Sequence, residues 1–129
     1  MTELITPFNQ IADELKEMQS NIEVEISDDI DEAVERGNVL AVYIARSGKL
    51  LADAKYHKEK KLRSDVVSEI KQIVKLPPSV AVKFVDTLVE KENYLMTWAD
   101  RLNRTCTHQL EWCRTLVSKA KAEMTAFKQ

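Results

Sequence analysis

Cys106, His108 and Cys113 lie close together in the chain and are the first side chains that could hold a metal ion or form a redox pair. Their spacing argues against both. On a helix, Cys106 and Cys113 stand two turns apart, about 10.5 Å along the axis, too far for a disulfide. His108 is two residues from Cys106 and so faces elsewhere. The paired spacing of a zinc site is absent. Both cysteines fall on an apolar stripe, where a free thiol packs as a small hydrophobe. Two unpaired thiols also fit a reducing compartment. Asp53 and His57, four apart, could pair as carboxylate and imidazole, but no nucleophile is fixed beside them, so an ordinary salt link is the expectation. Asp100 and Arg104 have the same spacing and the same reading. The chain contains no phosphate loop, GxGxxG, HExxH or GxSxG. No catalytic residue, metal or cofactor is assigned, and a non-enzymatic protein is expected.

Two other features could make contacts with a partner. Lys55, Lys58, Lys60, Lys61 and Arg63, with His57 among them and a single acid, Glu59, form a basic run. The run spans more than two helical turns and therefore surrounds its helix. It could contact phosphates, or its lysines could simply be solvated along their stems. The second feature is a row at three- and four-residue steps: Tyr94, Trp98, Arg101, Thr105, His108 and Trp112, with Arg104 beside it. Burial of this flank beneath another helix or a sister subunit is the first reading. A protein interface, where Trp, Tyr and Arg are enriched, is the second. Stacking of nucleobases, with Arg101 and Arg104 on phosphates, is the third.

The elements that must position these groups are helical. Among 129 residues there are only two glycines and three prolines, too few for a fold with many turns. Phe8, Ile11, Leu15, Met18 and Ile22 mark a first helix over about 7–21, with Thr6 as cap and Pro7 in the first turn. Ile22-Glu23-Val24-Glu25-Ile26 alternates, and with no second strand to pair with it reads as an extended linker over 22–27. Ser27, Asp28 and Asp29 open a long helix over about 28–75. Its stripe reads Ile30, Val34, Gly37, Ala41, Ile44, Gly48, Leu51, Lys55, Lys58 and Leu62. Gly37, Ala41 and Gly48 are expected to admit a neighbouring helix closely, with a break at Gly48 as the competing reading. Pro77 and Pro78 force a turn at 76–79. Ser79 then caps a second long helix over about 80–126, whose stripe is Val85, Leu88, Glu92, Leu95, Ala99, Leu102, Cys106, Leu110, Cys113, Val117, Ala120 and Met124.

The expected architecture is a single all-α domain: a long antiparallel helical hairpin, coiled-coil-like, with the shorter first helix packed on it as a third. That helix covers about a third of the hairpin by its rise per residue. The remaining apolar surface calls for a second chain, so a homo-oligomer is expected, most simply a two-fold dimer. No apolar run reaches the roughly 20 residues of a membrane span, and the first residues lack a signal-peptide pattern. The expected setting is the cytoplasm of a bacterial or phage-infected cell. Charge is split: residues 1–36 carry 11 acids and two bases, and residues 37–129 carry 17 bases and 10 acids. Packing of the acidic segment against basic helices is preferred over a cover for a ligand surface.

The blocks Ala45-Arg46-Ser47-Gly48-Lys49-Leu50-Leu51-Ala52-Asp53-Ala54-Lys55-Tyr56 and Trp98-Ala99-Asp100-Arg101-Leu102-Asn103-Arg104-Thr105-Cys106-Thr107-His108 resemble small helical proteins of phages and prophages of gut-type bacteria. The resemblance covers residues from about 28 onward. That group has no assigned role, so the resemblance implies no activity and no site residue. It implies a mobile-element setting, and hence an adaptor acting on another protein or, alternatively, an accessory of DNA or RNA metabolism.

Overall fold

The computed structural model of the chain describes residues 4–128. Four helices succeed one another, α1 (Phe8–Ile22), α2 (Ile30–Ile73), α3 (Pro78–Leu88) and α4 (Glu90–Lys128), and there is no strand among the described residues. None of these helices is long and apolar enough to cross a membrane.

A 15-residue helix is marginal in water on its own, so α1 depends on what it packs against. Its apolar face supplies Ile11, Leu15, Met18 and Ile22, all buried. Full burial of such a side chain contributes about 1.5–3 kcal/mol. The helix begins after Pro7, and Thr6 does not cap it; the Thr6 hydroxyl accepts from Arg46 Nη2 at 3.1 Å instead. At the start of α2 the cap is Asp29, whose carboxylate accepts from Asp31 N at 2.9 Å and Glu32 N at 3.1 Å. Ser27 stands one step outside, its hydroxyl accepting from Asp29 N.

α2 runs 44 residues without interruption, and the chain does not break at Gly48. Its buried side chains are Ala33, Leu40, Ser47, Leu50, Asp53 and Ala54. This face lies about one residue away from the stripe expected from apolar residues alone. Val34, Ala41, Gly48 and Lys55 are exposed. The rotation has a polar cause. Asn103 Nδ2 donates to Ile44 O at 2.9 Å and to Ser47 Oγ at 3.0 Å, which satisfies Ser47 inside the seam and makes its side the buried one. Of the three small residues expected to admit a helix, Gly37 is where α4 comes nearest. A methyl group there would lie 3.4 Å from Leu110 Cδ1 and 3.9 Å from Cys113 Cβ. At Gly48 the nearest neighbour would be Asn103 Nδ2 at 4.0 Å, and Ala41 faces outward.

α2 and α4 form the largest helix contact. Gly37 lies by Cys113, Ser47 by Asn103 and Lys61 by Glu92, so the two helices run antiparallel. From α4 the seam receives Glu92, Leu95, Ala99, Leu102, Cys106 and Cys113, the expected stripe, although Met124 at its far end is exposed. The expected single helix over 80–126 is in fact two. The chain leaves helical geometry at Val89 (φ −121°, ψ 30°), and Val89 N donates to Asp86 O at 3.3 Å. There is no glycine or proline at this bend. What the bend achieves is the burial of Val89, which is 1% exposed, while α3 turns against α2. α3 starts at Pro78 with Pro77 as its cap position, so Ser79 lies inside the helix.

Leu102, at the middle of the seam, sets the scale of the core. Leu102→Ala is expected to cost about 2–5 kcal/mol in urea unfolding, whereas the exposed Val42→Ala should stay within about 0.5 kcal/mol. Equal effects would mean that the buried face of the hairpin is wrongly placed.

Candidate interaction surfaces

α1 is held at both ends by side chains of the hairpin. Ahead of it, residues Leu4 to Pro7, with a bend at Leu4 and Ile5, lie against α2. There Asp53 Oδ2 accepts from Thr6 N at 2.9 Å, and His57 Nε2 lies 2.7 Å from Thr6 O. A carbonyl can only accept, so the proton sits on His57 Nε2. Lys49 Nζ donates to Leu4 O at 2.9 Å and to Asp53 Oδ1 at 2.6 Å, and Arg46 pairs with Glu14 at 2.7 Å. Asp53 and His57 therefore do not pair with each other; each takes one backbone group of Thr6. At the other end, Ile22 O accepts from Arg36 Nη2 at 3.0 Å and from Gln109 Nε2 at 2.9 Å. The bonds to Ile22 O satisfy a carbonyl that the end of the helix leaves unpaired, and those to Thr6 and Leu4 fix the segment that leads into it.

Burial raises the Asp53 carboxyl, but the bonds from Lys49 and Thr6 together outweigh it and hold the group below its ordinary value of 3.8. The Arg46 hydrogen bond likewise lowers Glu14, against desolvation. Cys106 and Cys113 are free and buried, and burial pushes both thiols up against the opposing charge of Arg36. A raised thiol is a poor nucleophile and a poor ligand. Among the described residues no group of three or more His, Cys, Asp or Glu is placed to hold a metal ion.

α1 touches the aromatic and basic row on α4 at Trp98. Trp98 is half-buried beside α1, with Nε1 donating to Gln19 Oε1 at 3.1 Å, and Tyr94 lies against it at a ring distance of 6.0 Å. Arg101, Arg104, His108 and Trp112 remain exposed. Arg104 pairs with Asp100 at 3.2 Å, and His108 Nδ1 lies 3.8 Å from Glu111. Tyr94 is exposed as well, at 66%, so Trp98 alone of the six is partly covered.

In the basic run, Lys61 lies 3.7 Å from Glu92, and Lys58 is half-buried. Lys55, Lys60 and Arg63 are exposed, with no carboxylate of the described residues within 4.0 Å. Nor does the acidic segment neutralise the basic helices. Glu14 with Arg46 is the one ion pair among the described residues that joins residues 1–36 to the remainder, and Asp13, Glu17, Glu23 and Glu25 face solvent.

The largest departure from an ordinary globule lies at the hairpin tip. None of residues 55–88 is buried, although Leu62, Val66, Ile73, Phe84, Val85 and Leu88 are at least half-covered. Val67, Val74 and Val82 are 74%, 71% and 62% exposed, and Ile70 and Val80 are 46% exposed. Sequence reasoning anticipated spare apolar surface on the hairpin. It did not identify Arg36, Gln109 or Glu92 as polar groups with specific positions in the packing. Arg36 and Gln109 carry no pattern of their own, because their acceptor is a backbone carbonyl that only the fold brings near. For Glu92 a signal existed, since it is the one acid on the α4 stripe.

The chain matches no protein-family model, no curated protein and no solved structure.

The clamp on Thr6 makes acid sensitivity specific. A lowered folded value means that the Asp53 contribution is complete above the unfolded value of 3.8 and fades as pH falls through the lower folded value. Melting temperature is expected to drop over that range. In Asp53→Asn, stability at neutral pH should be lower and this acid-dependent loss smaller. An unchanged pH profile in the variant would remove Asp53 from the clamp.

Proposed function

We propose that this is a non-enzymatic helical interaction protein that works by protein contact through its bare tip, which a second copy covers in a two-fold dimer. The observation that carries the proposal is the absence of any buried residue from 55 to 88 in a segment rich in valine, isoleucine and leucine. Helices in water draw most of their stability from a packed apolar face, and the 11-residue α3 has no buried side chain. Contiguous apolar surface of this kind marks interaction sites in soluble proteins. Two tips brought together supply four helices, an arrangement that encloses a core along its whole length. A two-fold contact needs only one self-complementary patch. Arg101, His108 and Trp112, free of α1, are then left to contact a different protein, which makes the dimer an adaptor. Resemblance to small phage and prophage proteins supports a partner from the host or the mobile element.

A second reading, nucleic-acid binding, is favoured by Lys55, Lys60 and Arg63, which are exposed without carboxylate partners. The phosphates of a nucleic acid would supply the missing anions.

Sedimentation tests the first reading. The wild type is expected as a dimer, and Val67→Glu with Val74→Glu, both exposed at the tip, should return it to the 14.8 kDa monomer without loss of helicity. A wild-type protein that sediments as a monomer refutes the tip dimer. For the second reading, an affinity for oligonucleotides that falls steeply with salt is expected, and no binding at low salt rules it out.

A further inference from the structure

Beside the start of α1 lies a hollow of about 330 Å³, lined by Phe8, His57, Lys60, Lys61, Ser64, Asp65 and Glu92. Its floor is unusual. Glu92 is 6% exposed, and its Oε1 is fully buried with no hydrogen-bond partner. Lys61 Nζ, the nearest cation, stands 3.7 Å away, beyond hydrogen-bond distance, while its own side chain is 44% exposed. A buried carboxylate oxygen without a donor costs a large part of its hydration energy, so such atoms are normally satisfied. The hollow therefore holds an acceptor without a donor, two lysines at its edge, and an aromatic wall. In that wall Phe8 and His57 stand edge to face at 6.1 Å, and His57 is already fixed by its bond to Thr6 O.

We propose that this hollow binds a nucleobase that presents N–H donors, guanine above all, together with its phosphate. The Watson–Crick edge of guanine offers adjacent ring and exocyclic N–H groups, the donors a carboxylate accepts as a pair, and cytosine offers one amino group. The base face would lie against Phe8, which suits any nucleobase. Lys61 then leaves Glu92, whose oxygen is satisfied by the base, and joins Lys60 on the phosphate. Glu92 thereby exchanges a cation at 3.7 Å for the N–H donors of a neutral base, while the phosphate takes up the charge of the two lysines. Adenine, cytosine and uracil lack the donor pair, and adenine N1 and cytosine N3 would set an acceptor against the carboxylate, so these bases should be rejected. Inorganic phosphate would engage the lysines alone. The same chemistry arises from a free nucleotide or from a guanosine within a single strand.

Calorimetric titration of the full-length protein with GMP, CMP, AMP, UMP and inorganic phosphate tests the proposal, and short oligo-dG and oligo-dT distinguish a free nucleotide from a strand. GMP is expected to bind more tightly than CMP, AMP or UMP by roughly tenfold, the discrimination of a paired base contact. Glu92→Gln should erase that preference, and Lys60→Ala should weaken every nucleotide alike. Thermal melts of both variants confirm that they are folded; should Glu92→Gln fail to fold, the preference of the wild type among the four bases decides alone. Oligo-dG binding with no GMP binding would assign the site to a strand. No preference among the bases, phosphate binding as tight as GMP, or a folded Glu92→Gln that retains the preference would each overturn the proposal.

Discussion

Two helices cannot enclose a core. Packed side by side they bury one seam between them and leave its two edges open to water, so a third surface must cover at least one edge. Here that cover is α1. Leu40, Ser47, Leu50 and Ala54 from α2 and Leu95, Ala99, Leu102 and Cys106 from α4 are at most 5% exposed, and they lie along the stretch where Ile11, Leu15, Met18 and Ile22 fill the groove. Where α1 begins, near His57, burial along α2 ends, and it resumes only at Val89 on the way back. The length of one short helix thus decides which part of the hairpin has an interior.

Position along the groove is a separate matter from attraction to it. Four apolar side chains would hold α1 against the hairpin but would tolerate sliding by a turn, because hydrophobic contact is non-directional. Hydrogen bonds are directional. Thr6 is read by Asp53 through its N–H and by His57 through its carbonyl, and Ile22 O is read by Arg36 and Gln109. A shift of one turn would break all four at once and leave partly buried donors and acceptors unpaired, at a cost of about 1–3 kcal/mol each. The apolar face supplies the affinity, and the polar ends set the register. Asn103 with Ser47 does the same for α2 against α4.

This division explains what could be read from residues alone. The helical class, the double-proline turn at Pro77 and Pro78, and the α4 seam through Leu95, Leu102 and Cys113 follow from spacing, because each depends on local geometry or on an uninterrupted apolar period. The facing side of α2 does not. Its apolar residues are spread widely enough to support two neighbouring stripes, and the choice between them falls to Ser47 and Asp53, polar residues that an apolar count places outside. The bend at Val89 was illegible for another reason: no glycine or proline marks it, and the burial of Val89 that accompanies it is visible only in the fold. Of the expected contact residues, the row from Tyr94 to Trp112 shared a helical line in the sequence, whereas the partial cover of Trp98 by α1 is a tertiary fact.

The same roof sets a gradient of stability along the molecule. Local opening costs least where few apolar contacts are buried and the backbone bonds face water. By that measure α3 and the adjoining turns of α2 are the weakest part, and the roofed half from Leu40 to Ala54 the strongest. Yet the weak half is the richer in β-branched residues, with Val66, Val67, Ile70, Ile73, Val74, Val80, Val82 and Val85 in 20 residues. Such side chains lose rotamer freedom in a helix and contribute most when packed. A segment meant only to be solvated would gain from Lys, Glu and Ala in their place, as the outer face of α1 does with Asp13, Lys16 and Glu17. The composition of the tip is closer to that of an interior than to that of a solvated surface, although none of its residues is buried.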